Sequence, residues 1–377
     1  MQKPHPVLTE GDINKVLDFL KSGRPLSGFK GSEREGGENV QALENAFREY
    51  FKVEYAVAFN SATAALYAAC VACDVREGIV TPFSFVASAS CVRLNNGTEV
   101  FADINEDTFC LSPQSVADHV TKYTDAIIPV HLMGNVCDMD EIMKIAKRND
   151  LYVIEDAAQA IGAEYKGRKA GTIGDCGIFS FNQSKPISSG EGGMLITNNN
   201  FIYRMACGIR NHGEFSEKYY TPGFNFRMCE IEAILALEQF KRLDENNNHR
   251  IELCNFMTKE LRKLPRFTPP LVRDNIKHTY YTYGIKYEGD KYELCKRLQD
   301  RGVYFGTYIK PLYNLPIFGG GRLPVVERVS ESLLVSDVFR DELTLDDCKD
   351  ILKIIEECDE NLATDADKDL RYKRERV

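Results

Sequence analysis

No stretch of this sequence is long and apolar enough to cross a bilayer. The longest apolar run, residues 64–73, is about half of the roughly 20 residues a spanning helix needs. The chain opens Met-Gln-Lys-Pro-His-Pro with no apolar run behind it, so no signal peptide and no membrane partner are expected. There is no basic surplus either: 47 Lys plus Arg stand against 56 Asp plus Glu, a net charge of -9. Nucleic acid is therefore not an expected partner. Metal-binding patterns are missing too. Only six histidines are available, and the twelve cysteines are scattered without a pair of C-x-x-C motifs. Reduced, mostly buried thiols in a cytoplasmic protein are the expectation, and no metal site is. The single Cys70-Val71-Ala72-Cys73 lies beside Leu66 and Tyr67, in what reads as a buried helix where Cys serves as a small hydrophobe. Neither G-x-G-x-x-G nor G-x-x-x-x-G-K-[ST] occurs, so a dinucleotide fold and a P-loop are unsupported.

What remains is a chain of 377 residues, 44% hydrophobic and 27% charged, which is ordinary globular composition with length for about two domains. Helices are expected over 10–21 and 38–51. Between them lies a Gly-rich patch, Gly28-Phe29-Lys30-Gly31 through Gly36-Gly37, which reads as a linker, an ordered lid or a dimer contact. From residue 54 to about 200, short apolar runs alternate with helical patterns. Strands are expected at 55–59, 78–81, 99–103, 125–130, 151–155, 177–181 and 193–197, and helices at 63–73, 84–94, 113–119 and 139–149. This alternation predicts an α/β fold, with a mostly parallel central sheet covered by helices on both faces. A helical stretch over 226–245 ends in Asp244-Glu245-Asn246-Asn247-Asn248. A boundary there divides a large domain, 1–245, from a small C-terminal α+β domain, 246–377, with helices at 249–263, 291–301 and 344–360 and a Tyr-rich strand at 278–287. The tail from 365 is almost all charge and reads as solvated or frayed.

Ligands of such sheets bind at the carboxyl ends of the strands, and three constellations fall there. Asn60-Ser61-Ala62-Thr63-Ala64-Ala65-Leu66 joins a strand to a helix start. It is either a plain hydroxyl N-cap or an anion site of free amides and helix dipole. Asp156, closing Val153-Ile154-Glu155-Asp156, is either a cap or a carboxylate aimed into a pocket, where its depth implies a cationic partner. Lys185 follows Phe179-Ser180-Phe181 and precedes Gly190-Glu191-Gly192-Gly193; a lone lysine there is either solvated or a nucleophile. Pyridoxal phosphate unites the three. It needs an anion cradle, a lysine that holds its aldehyde as a Schiff base, and a carboxylate on its ring nitrogen. An aromatic face such as Phe85 would suit its ring, although core packing accounts for Phe85 equally well.

These strings, with Pro82-Phe83-Ser84-Phe85-Val86-Ala87, Ile128-Pro129-Val130-His131-Leu132-Met133-Gly134, Ile154-Glu155-Asp156-Ala157-Ala158-Gln159 and Gly223-Phe224-Asn225-Phe226-Arg227-Met228, resemble the DegT/DnrJ/EryC1/StrS sugar aminotransferases, fold-type I pyridoxal phosphate enzymes. The resemblance runs from about Gly23 to Ile355. It implies that Lys185 is the Schiff-base and catalytic lysine, Asp156 the partner of the ring nitrogen, and Gln159 the contact to the phenolic oxygen. It further implies that Ala62 (through its amide), Thr63 and Ser180 hold the phosphate, that Phe85 stacks on the ring, and that Asn225 reaches the phosphate in the other subunit of a homodimer with shared sites. Arg227 and Tyr313 are implied as substrate contacts. The implied reaction is amination of a nucleotide-linked keto sugar, a 4-keto-6-deoxyhexose, with glutamate as donor, in amino-sugar biosynthesis for polysaccharide or lipopolysaccharide. Amination of a keto-cyclitol and a non-catalytic regulatory protein are the alternatives. The chain departs from the family pattern at Ala62, usually Gly, at Val75-Arg76-Glu77-Gly78, and at Pro311-Leu312-Tyr313, where His often follows Pro-Leu. Lys185 argues against the dehydrating branch, which has His at that position.

Overall fold

The structure is a computed structural model that describes residues 8–29, 35–215, 218–219, 221–337, 339 and 342–374, with side chains to residue 362. Residues 30–34 of the Gly-rich patch and the end of the charged tail lie outside the described residues. The short apolar runs of the first half form the strands β1 (Tyr55–Phe59), β2 (Glu77–Val80), β3 (Thr98–Phe101), β4 (Ala126–Ile128), β5 (Tyr152–Asp156), β6 (Cys176–Ser180) and β7 (Gly193–Thr197). They make one sheet in the order β1-β7-β6-β5-β4-β2-β3. β7 runs against both of its neighbours and the other pairs are parallel. Every residue of β4, β6 and β7 is buried. Because successive side chains point to opposite faces, both faces of the sheet are covered, as expected of a mostly parallel sheet.

The helices in chain order are α1 (Glu10–Lys21), α2 (Glu38–Phe51), α3 (Ala62–Ala72), α4 (Ala87–Leu94), α5 (Pro113–His119), α6 (Met139–Asn149), α7 (Asn200–Arg210), α8 (Glu230–Phe240), α9 (Leu243–Leu261), α10 (Lys291–Asp300), α11 (Pro324–Ser332) and α12 (Leu345–Arg374). α2 packs on α8, α3 on α7 and α4, and α5 on α6. The N-cap residue of α2, Gly37, offers no side-chain acceptor. The buried Glu230 carboxylate does that work by accepting from the amides of Asn39 (2.9 Å) and Val40 (3.2 Å).

The C-terminal residues add a four-stranded antiparallel sheet of β8 (Phe267–Thr268), β9 (Tyr283–Tyr287), β10 (Gly306–Thr307) and β11 (Leu333–Ser336), ordered β8-β9-β11-β10. It has its own apolar cluster, including Leu253, Met257, Tyr283, Leu294 and Ile355. Other residues of this half, such as Ile276, Leu312, Tyr313 and Phe318, join the main core instead. The Asn-rich run does not end a helix: α9 continues through it. Asn247 is fully buried; its Nδ2 donates to the Ile161 carbonyl at 3.0 Å and its Oδ1 accepts from Arg250 at 2.9 Å, so tertiary contacts outweigh the low helix propensity of Asn. The expected helix at 84–94 starts only at Ala87, and α12 stays helical to Arg374, beyond the expected 360. The buried Asp103 carboxylate, just after β3, accepts from the amides of Val325 (2.9 Å) and Val326 (3.0 Å). It thereby caps α11 and fastens the C-terminal half to the sheet edge.

Candidate active site

Register brings distant strands to one edge of the main sheet. Phe59 and Ser180 both pair with Gly193, Asp156 pairs with Ile178 and bridges Val130, and Val80 pairs with Ile128. The carboxyl ends of β1, β2, β5 and β6 thus converge. At the end of β1, Ser61 caps α3 by accepting from the Ala64 amide at 3.1 Å, and the amides of Ala62 and Thr63 open the helix. A Cβ at Gly193 would lie 2.4 Å from the Ala62 nitrogen and 2.6 Å from the Ser61 carbonyl carbon. Only glycine therefore lets β7 pass this turn. The Ser180 hydroxyl borders the same turn through Gly193 and accepts from the Asn182 amide at 3.3 Å. Amides at a helix start beside a hydroxyl make an anion cradle.

Asp156 is 4% exposed. Its Oδ2 accepts from the Ser88 hydroxyl at 2.7 Å and its Oδ1 from the Ala158 amide at 3.1 Å. Neither donor is a cation, and no ion pair to this carboxylate exists among the described residues. The adjacent Glu155 points to the other face and is fully satisfied. It accepts from the amides of Gly171 (2.9 Å), Ile173 (2.5 Å) and Gly174 (2.6 Å). It also accepts from His131 Nε2 at 2.8 Å; His131 Nδ1 accepts from the Cys137 amide at 3.3 Å, which leaves the ring hydrogen on Nε2. One carboxylate anchors the strand end, while its neighbour faces the site without a counter-charge.

Gln159 is oriented by its surroundings. Its Oε1 accepts from the Met133 amide at 2.9 Å, and its Nε2 donates to the Tyr308 hydroxyl at 3.4 Å. Met133 and Gly134 form a left-handed turn at φ 57° and 94°. Gly134 is needed because a Cβ there would lie 2.6 Å from the Tyr280 nitrogen. Lys185 is half-buried after β6, with its amide donating to the Asn182 carbonyl at 2.8 Å. Its Nζ sits 4.3 Å from the centre of the Tyr281 ring and has no carboxylate partner among the described residues. Phe85, three residues before Ser88, is 62% exposed, whereas Phe83 is fully buried.

The structure thus gathers Ala62, Thr63, Ser180, Asp156, Gln159, Phe85 and Lys185 around one edge. Asn225 and Arg227 lie on a separate segment that passes Asn60, whose amide donates to the Phe226 carbonyl at 2.9 Å. Asn225 is exposed, and its side chain makes no hydrogen bond among the described residues. Arg227 donates to Asn211 Oδ1 at 2.8 Å. Tyr313, expected to face substrate, is instead 2% exposed within the main core, and its hydroxyl donates to Glu327 Oε1 at 2.6 Å. Its position in a sequence string resembling a substrate loop says nothing about which way the ring turns. Ser88, Met133, Tyr281 and Tyr308 were not legible as site residues, because each meets the site across a long sequence separation.

An anion cradle, a buried carboxylate lacking a cation, an amine lacking a carboxylate and an exposed aromatic ring fit pyridoxal phosphate group by group. Fold and site together define a pyridoxal phosphate-dependent transaminase. The model of the DegT/DnrJ/EryC1/StrS aminotransferase family matches residues 27–356, and the chain belongs to that family. It is similar to the GDP-perosamine synthase of Caulobacter vibrioides, with 36% identity over 74% of this chain and 78% of that protein. It is also similar to the UDP-4-amino-4,6-dideoxy-N-acetyl-beta-L-altrosamine transaminase of Campylobacter jejuni, with 33% identity over 83% and 85%. Among solved structures, an aminotransferase from Psychrobacter cryohalolentis superposes with a TM-score of 0.88 at 30% identity, over 96% of this chain and 99% of that one.

Proposed function

We propose that the protein transfers an amino group from glutamate to a nucleotide-linked keto sugar, a 4-keto-6-deoxyhexose, as a cytoplasmic homodimer with shared active sites. The observation that carries this reading is the buried Asp156 carboxylate without a cationic partner among the described residues, at the same sheet edge as Lys185, which has no carboxylate partner among them. The two relatives named for amino-sugar nucleotides support the substrate class. The twelve free cysteines, eleven of them buried, support a reducing compartment, and no helix among the described residues is long and apolar enough to cross a membrane. The exposed Asn225 supports a site completed by a second subunit.

Pyridoxal phosphate, when bound, supplies an aldehyde that carries the amino group and a protonated ring that withdraws electrons. The chain's own residues do the rest. The Ala62 and Thr63 amides and the Ser180 hydroxyl would bind the phosphate, and Asp156 would hold the positive charge on the ring nitrogen. Gln159, fixed through Met133, presents its remaining N–H to the phenolic oxygen. Lys185 Nζ would be the group that takes the proton leaving the donor's α carbon and then gives it back, as general base and then acid. The keto sugar uses the same groups in reverse order, so kinetics are ping-pong. The test is spectroscopic. The purified protein should be yellow, bleach with glutamate, and regain its colour with a nucleotide-linked 4-keto-6-deoxyhexose. Recovery with a keto-cyclitol alone would replace the sugar reading, and no bleaching by any amino acid would overturn the transaminase.

A further inference from the structure

Tyr308 enters the site so far only as the acceptor that orients Gln159. It follows β10, so the C-terminal half delivers it. Its ring packs 4.9 Å from the buried Phe83 ring, and the Leu312 amide donates to the Pro82 carbonyl at 2.8 Å, which fastens this segment beside Phe85. The hydroxyl lies on the cofactor side, because Gln159 Nε2 donates to it at 3.4 Å. The direction of that bond is fixed: Gln159 Oε1 already accepts from Met133 at 2.9 Å, so the amide cannot be flipped. Tyr308 Oη is therefore an acceptor toward Gln159, and its own hydrogen has no acceptor among the described residues.

Burial pushes this phenol up, and the nearby Tyr281 and Asp156 push it the same way. It remains a neutral donor at neutral pH. A neutral O–H suits a carbonyl or hydroxyl oxygen, whereas the carboxylates of an amino-acid donor call for a cation. We propose that Tyr308 contacts the second substrate, donating its hydroxyl hydrogen to the oxygen on the sugar carbon that is aminated. This assignment rests on the keto-sugar reading above.

The test compares Tyr308→Phe with wild-type holoenzyme, since Phe keeps the ring against Phe83. The two half-reactions are followed separately by the cofactor's absorbance. Loss of one neutral hydrogen bond should lower kcat/KM of the keto-sugar half-reaction about tenfold more than that of the glutamate half-reaction. A nucleotide-linked 6-deoxyhexose with a hydroxyl in place of the keto group cannot react, and its dissociation constant by calorimetry should rise by a similar factor. Equal losses in both half-reactions, or a shifted absorption band of the resting enzyme, would mean that Tyr308 acts only through Gln159, and would overturn the assignment. So would an unchanged dissociation constant. A wild-type enzyme that aminates no nucleotide-linked keto sugar fails earlier, and overturns the underlying reading together with this one.

Discussion

Asp156→Asn should separate stability from catalysis. In the folded chain the carboxylate receives two neutral hydrogen bonds, from Ser88 and Ala158, and no cation among the described residues. Asn keeps one oxygen for the Ala158 amide and places an NH2 group against the Ser88 oxygen, which can turn to accept. The hydrogen-bond exchange is worth about 1 kcal/mol, and removal of an uncompensated buried charge acts in the stabilising direction. The cofactor-free variant should therefore melt within about 4 °C of the wild type. The loaded enzyme should behave differently, because the ring nitrogen would lose its counter-charge at a buried position: Asp156 is 4% exposed. Breaking one side of a buried charge pair costs about 3–5 kcal/mol, or roughly two to nearly four decades in rate. Stopped-flow bleaching with saturating glutamate measures that loss. A variant that bleaches at the wild-type rate refutes the role of Asp156. A cofactor-free variant that fails to fold refutes the claim that the carboxylate is a functional rather than a structural charge.

Two further outcomes follow from other parts of the molecule. Lys185→Ala and Asn225→Asp chains should each be impaired as homodimers, the second because a carboxylate is placed against the partner subunit's cofactor phosphate; co-expressed, they should regain activity approaching half of wild type per mixed dimer, and verified heterodimers without recovery would overturn the shared site. His278 is 5% exposed, its Nδ1 accepts from the Tyr280 amide at 2.9 Å, and burial lowers its pKa to about 3. The unfolded chain protonates it near its ordinary value, so this group's contribution is complete above about pH 6.5 and is lost at about 1.4 kcal/mol per unit as pH falls toward 3; His278→Asn, which keeps an acceptor, should flatten that limb of a denaturation series, and an unchanged slope would contradict the buried neutral ring.

All seven strands of the main sheet were legible because each is an apolar run bounded by turn residues. Their alternation with helices points to the fold class, and the resemblance of the strings to known sugar aminotransferases points to the family. What depended on long-range contact was not legible. α7 starts on the last of three asparagines, which read as a turn, although Asn199 caps it and Ile202, Ala206 and Ile209 line its buried face. α11 and β11 adjoin without a turn between them, which erases the usual punctuation. Within the site, Lys185, Asp156 and Gln159 sit in local strings that carry their own signal. Ser88 meets Asp156 across 68 positions, and Tyr308 meets Gln159 across 149; no local pattern encodes either meeting. Tyr313 shows the converse: its local string resembles a substrate loop, yet the space under α11 takes its ring.

The most direct test concerns Lys185, the amine expected to hold the cofactor. Reduction of the yellow protein with borohydride fixes that link irreversibly, and peptide mapping by mass spectrometry then reads the modified lysine. One phosphopyridoxyl adduct is expected, on Lys185, absent from the Lys185→Ala protein. An adduct on any other lysine of the wild type, or an unchanged adduct in that variant, would contradict it.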